Sequence, residues 1–194
     1  MMKKKFGFAG KSKTDFHFTV ELPALYMGAR LMPGAFTQLT GFPASTAMDT
    51  FLPLEDVWKD FDKVRFFTLP FEQAREYFRQ FLLGKTQHKT PDMFASLFHL
   101  LSHNAPATTT ELYQMLHFSP RQCQRLFLKH YGITPKMALC IMRFQKCLDI
   151  LTSPKANPAD ILHATTYYDQ PHFINDFKRN IGLTPMEFIR NYQD

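Results

Sequence analysis

Polar and apolar positions along residues 1–32 follow the two-residue period of extended chain. Phe16 to Val20 (FHFTV) alternates, and Leu25 to Leu31 (LYMGARL) suits a half-buried strand. Two short strands make a poor sheet, since an isolated hairpin is marginal in water, so this front reads as incomplete or as pairing with another chain. From Pro33 the period turns helical. Pro33 to Leu39 places Pro at a first helical position and ends near Gly41, and Pro53 to Phe61 repeats the device with acids in its first turn. Phe71 to Leu83 spaces Ala74, Tyr77, Phe78, Phe81 and Leu82 on one helical face, with Gly84 as the stop. The polar stretch Lys85 to Thr90 reads as a linker. Helices are then predicted over Pro91 to His103, Thr109 to His117, Ser119 to Tyr131, Thr134 to Leu151, Asn157 to Thr165, Asp169 to Asn180 and Thr184 to Tyr192. Most of them open on a Ser, Thr, Asp or Asn cap, several with Pro directly after it.

One repeat separates this stretch from a generic bundle. Residues 127–135 (FLKHYGITP) and 177–185 (FKRNIGLTP) share Phe, Gly, Thr and Pro in register at an offset of 50. The same offset pairs Phe118 with Tyr168, Ser119 with Asp169 and Leu112 with Leu162. Two copies of one helix–turn–helix–Gly–Thr–Pro unit explain the pattern. Gly132 and Gly182 end a helix, and Thr-Pro restarts the chain.

The second helix of such a unit can lie in a DNA major groove. Residues 119–131 suit that use. Cys123, Leu126, Phe127 and Tyr131 form an apolar stripe, while Arg121, Gln122, Gln124, Arg125 and Lys129 occupy other faces. Arg grips guanine and Gln grips adenine bidentately, so Arg121, Gln124 and Arg125 form a reading set. Lys129 suits phosphate. In the second copy Gln170, His172 and Asn175 are candidates for DNA contact, with Lys178 and Arg179 for phosphate. The first copy reads as the sequence reader and the second mainly as an anchor. The predicted helix between them, of about 18 residues, is roughly 27 Å long. With its turns it could hold the two reading helices about 34 Å apart, one turn of B-DNA.

Charge supports this division. The chain of 194 residues has 23 basic and 17 acidic side chains, a net charge of +6. Residues 1–14 hold five lysines and no acid, and residues 119–146 carry Arg121, Arg125, Lys129, Lys136, Arg143 and Lys146 without one Asp or Glu. A solvated polar face would mix its signs; an acid-free island favours a polyanion. Phe is abundant, at 21 residues, and such stretches are usually packed core rather than base-stacking platforms.

Other classes find little support. Apolar runs such as Met137 to Met142 fall far short of the ~20 residues of a membrane helix. Phe6 to Ala9 is shorter than the ~7-residue minimum of a secretory core. Three cysteines (Cys123, Cys140, Cys147) without a CxxC pair argue against a disulfide framework and fit the cytoplasm. His99 and His103 stand four apart without a third ligand, and no nucleophile with a supporting base stands out, so no metal, cofactor or enzymatic activity is expected.

The segments SPRQCQRLFLKHYGITP (119–135) and DILHATTYYDQPHFINDFKRNIGLTPMEFIR (160–190), with the helix around Arg143 between them, strongly resemble the AraC/XylS family of bacterial transcription regulators. The resemblance covers about residues 92–192 and is most specific over Tyr167 to Pro185. It implies a mainly α fold: seven helices forming two helix-turn-helix subdomains joined by one long helix. Met27 to Ala35 and Phe51 to Asp56 more weakly resemble the rear of a sensor domain whose front would be missing. The expected division is therefore a shortened, mixed α/β sensor- or dimerisation-like region over 1–88 and a DNA-binding domain over 89–194. The expected partner is operator or promoter DNA. RNA polymerase, and a second copy joined through the N-terminal region, are further candidates. The sequence also departs from the family. Tyr113 and His117, and Leu162 and Thr166, stand where a small residue and a turn Gly are usual. These departures and the short N-terminal region raise an alternative: an interaction module that pairs with a full-length regulator and binds DNA weakly.

Overall fold

The computed structural model of the chain describes residues 6–9, 27–86, 93–153, 167 and 169–193. Strand β1 (Gly7–Ala9) pairs antiparallel with β2 (Phe51–Pro53), Phe8 facing Leu52 across the ladder. Between them lie α1 (Ala35–Thr40) and a 3-10 turn (Ala44–Ala47); after β2 come α2 (Leu54–Val57), α3 (Lys63–Thr68) and α4 (Phe71–Thr86). The helices α5 (Met93–His103), α6 (Thr109–Leu116), α7 (Pro120–Tyr131), α8 (Pro135–Leu151), α9 (Gln170–Ile181) and α10 (Pro185–Gln193) follow. These are six of the seven expected after residue 89; the helix expected over 157–165 lies outside the described residues. The chain is thus mainly helical, with a small α/β front.

That front differs from the sequence pattern in four places. Phe16 to Val20 lies outside the described residues, and the part of the second expected strand that is described, Met27 to Leu31, is irregular. The strands that do pair have three residues each, too few to show an alternation. Helix α1 begins at Ala35, not Pro33, because Gly34 turns left-handed (φ 87°) at its start. The helix expected over 53–61 stops at Val57, and Trp58 turns its indole into the core. Asp62 then caps a separate helix, its Oδ1 accepting from Arg65 N at 2.9 Å. Finally, α4 runs through Gly84 to Thr86. A helical Gly costs about 1 kcal/mol, and Lys85 offsets it in that turn by pairing with Asp60 at 2.6 Å and lying over the Phe81 ring.

The chain divides into two compact units, residues 1–99 with 121–134 and residues 100–120 with 135–194. The first has an aromatic core. Phe6 stacks on Phe66 at 4.8 Å and meets Phe61 and Phe78, while Phe8 meets Phe36 and Trp58 edge-on. These phenylalanines are therefore packing residues. Edge-to-face pairs of this kind add to area burial because ring edges are positive and ring faces negative. In the second unit Cys147 and Leu151 of α8 pack with Tyr167, which precedes α9, with Phe173 and Phe177 of α9, and with Phe188 of α10. Within this unit α6 packs against α8, with Leu112 fully buried.

Candidate nucleic-acid interface

The repeat is visible in the helices themselves. The bounds of α7 and α9 differ by 50 at both ends, and each is followed by a left-handed glycine, Gly132 (φ 70°) and Gly182 (φ 83°). Each accepts the same stop: the Gly132 N–H donates to Leu128 O at 3.1 Å and the Gly182 N–H to Lys178 O at 2.8 Å. Cys123 and Phe127 are buried in the first helix, and Phe173 and Phe177 at the matching positions of the second. Asp169 caps α9, its Oδ1 accepting from His172 N at 2.8 Å.

Ahead of α7 stands α6, capped by Thr108, whose Oγ1 accepts from Glu111 N at 3.2 Å while Glu111 reaches back to Ala107 N at 3.0 Å. At its other end His117 adopts φ 55°, ψ 34°. The His117 N–H donates to Gln114 O and the Phe118 N–H to Tyr113 O, the paired bonds of a Schellman stop. His117, flagged in the sequence for holding a glycine's place, thus takes the glycine's backbone conformation. The shallow surface beside it is lined by Thr110, Tyr113, Gln114, His117, Phe118 and Pro120.

All ten side chains expected to reach DNA are exposed. On α7 these are Arg121, Gln122, Gln124, Arg125 and Lys129; on α9 they are Gln170, His172, Asn175, Lys178 and Arg179. Arg121, Gln124 and Arg125 fall at i, i+3 and i+4, on one helical face. No acid stands in the first turn of either helix. The basic island is smaller than its sequence count, however. Arg143 is half-buried, its guanidinium 5.3 Å from the Tyr167 ring and its Nε buried without a hydrogen-bond partner, whereas Lys136 and Lys146 are exposed on α8. His130, in the last turn of α7, is buried and stacked on Phe94 at 4.1 Å, a packing role its polarity concealed.

In α9 one cation has an acidic neighbour. Asp176 pairs with Arg179 one turn on and accepts the Tyr167 hydroxyl at 2.8 Å. Burial, with this carboxylate beside it, holds the Tyr167 phenol far above its ordinary range. Among the described residues no cluster of three or more His, Cys, Asp or Glu could hold a metal ion. None of the described helices is long and apolar enough to cross a membrane.

Residues 112–191 match the family model of a helix-turn-helix domain. They form an AraC-type DNA-binding domain. This domain belongs to DNA-binding transcription regulators and not to an enzyme family, and it begins and ends close to the limits that the internal repeat marks out. Comparison with curated proteins and with solved structures gave no match.

Proposed function

We propose that the chain is a sequence-specific transcription regulator that sets α7 and α9 of its AraC-type domain into successive major grooves of operator DNA, acting in the cytoplasm. The observation that carries this reading is the polar face of α7. Arg121, Gln124 and Arg125 stand exposed on one side, while Cys123 and Phe127 anchor the other, and no acid interrupts residues 119–146. Arg121 and Arg125 offer paired donors to guanine and Gln124 to adenine, and Lys129 offers its charge to phosphate. Helix α8 has 17 residues, about 26 Å at 1.5 Å per residue, so with its flanking turns it matches the ~34 Å repeat of B-DNA. On this reading residues 89–194 bind DNA, residues 1–88 are a sensor- or dimerisation-like region through which a second copy is met, and RNA polymerase is a further partner.

Selection from a random duplex pool with the purified chain tests the proposal. A two-part motif with its halves one helical turn apart is the expected result. Enrichment of nothing, with binding that varies only with salt, would discard sequence specificity and favour a module that acts by pairing with another regulator.

A further inference from the structure

The two reading helices are equivalent in backbone but not in charge. At the offset of 50, Lys129 of α7 corresponds to Arg179 of α9, and Leu126 corresponds to Asp176. The first helix therefore carries its last-turn cation with no acid on the same helix, whereas the second carries an acid one turn before its own. Asp176 is not a mobile surface acid. Its side chain is 14% exposed, and its Oδ2 holds the hydroxyl of Tyr167, itself buried in the core with Phe173 and Phe177. Its Oδ1 faces Arg179, whose side chain is 79% exposed. The carboxylate cannot turn away without leaving a buried phenol unsatisfied, which is costly. The long Arg179 side chain is the partner free to move.

We propose that Asp176 restrains DNA binding by the second reading helix: it holds Arg179 in an intramolecular pair and fixes a negative charge on the turn that would otherwise grip phosphate. This rests on the reading of α9 as a DNA-facing helix. Each phosphate a protein neutralises releases counterions, so occupying one cation and adding one anion lowers affinity for every sequence alike. The restraint acts on α9 alone, so it lowers overall affinity and leaves base preference unchanged.

The test is a set of single and double variants of the full chain, titrated with a non-cognate duplex over a range of salt. Asp176→Asn keeps an oxygen for the Tyr167 hydroxyl and frees Arg179. Its affinity should rise about three- to tenfold, with a salt slope steeper by about one, as expected when a weak surface pair is traded for a phosphate contact. Arg179→Ala alone should change affinity less than about twofold, yet cancel the gain in the Asp176→Asn background, a coupling that additive sites would lack. Unchanged or weaker binding by Asp176→Asn, with Lys178→Ala still weakening the complex, overturns the restraint and leaves α9 at the DNA. Silence of both Asp176→Asn and Lys178→Ala removes α9 from the interface, and the proposal with it. Arg179 is exposed, so Arg179→Ala stands independently of how Asp176→Asn folds; a loss equal to that of Lys178→Ala is a second way to overturn the restraint.

Discussion

The hydroxyl of Thr37 donates to the backbone carbonyl of Lys129 at 2.9 Å, across 92 residues of sequence. The last carbonyls of a helix have no partner within it. Gly132 N takes that of Leu128 in α7, and Thr37, buried on α1, takes the next. The N-terminal region thus finishes the helix that carries Arg121, Gln124 and Arg125. Tyr131 adds a second tie, its hydroxyl donating to Phe94 O at 2.5 Å in the interior. Thr37→Val, which keeps the shape and loses the donor, should cost about 1 kcal/mol in a urea melt. A wild-type midpoint would show that the bond contributes nothing.

Three of the left-handed helix stops, Gly132, Gly182 and His117, should respond differently to substitution. A Cβ on Gly182 would meet nothing within 4 Å, so Gly182→Ala should cost only the backbone term of about 1–2 kcal/mol. On Gly132 a Cβ would come within 3.1 Å of Ala44 O and 3.0 Å of Met48 Cγ, so Gly132→Ala should cost clearly more. His117 already bears the backbone term at φ 55°. His117→Gly should raise stability by about 0.5–1 kcal/mol, the strain relieved less the entropy glycine adds to the unfolded chain. Thermal melts of the three variants give the order directly.

Burial pushes the Cys123 thiol up to about 11 and that of Cys147 up to about 12, while Cys140 is exposed on α8. The thiolate is the reacting form. At pH 8 an alkylating reagent should modify Cys140 alone in the native protein and all three cysteines in denaturant. Peptide mapping reads the sites, and native labelling of Cys147 would contradict the burial of the second core.

Glu187 accepts from the Thr184 N–H at 2.7 Å and from the Thr184 hydroxyl at 2.7 Å, and both bonds hold its carboxyl below 4.5. A folded-state value depressed in this way contributes stability that is full above the unfolded value of 4.5 and is lost as pH falls through the lower, folded one. Titration of Glu187 by NMR should give a midpoint below 4.5, and Thr184→Ala should return it toward that figure. An unshifted midpoint in the wild type would remove the capping box at the start of α10.

On a selected operator, Arg125→Ala should cost roughly 1–3 kcal/mol and relax the preference at one base pair. Lys129→Ala should weaken all duplexes alike and flatten the salt dependence, because a phosphate carries no sequence information. Gel shifts on the operator and its single-base variants separate the two outcomes. Loss of base preference in Lys129→Ala, with none in Arg125→Ala, would reverse the assigned roles.

The described helices after residue 92 and the offset of 50 between α7 and α9 were legible in the sequence because their causes are local. Caps, left-handed stops and apolar stripes act within a turn or two of chain, so FLKHYGITP and FKRNIGLTP end their helices alike whatever surrounds them. The ten exposed polar side chains were legible for the same reason: on a helix whose apolar stripe is known, the remaining faces are solvent. Contacts that join distant segments were not legible. β1 and β2 are three residues each and find one another across more than 40 residues, so neither shows a period. Thr37 meets Lys129, and Met48 meets Gly132, only after the aromatic core has folded the front of the chain back on itself. The sequence count placed Arg143 with the free cations and gave Asp176 and Arg179 merely opposite signs. The tertiary structure decided that Arg143 lies on Tyr167 and that Asp176 is pinned by the same ring's hydroxyl. Charge is written in the sequence, but which charges remain available to a partner depends on what each side chain packs against.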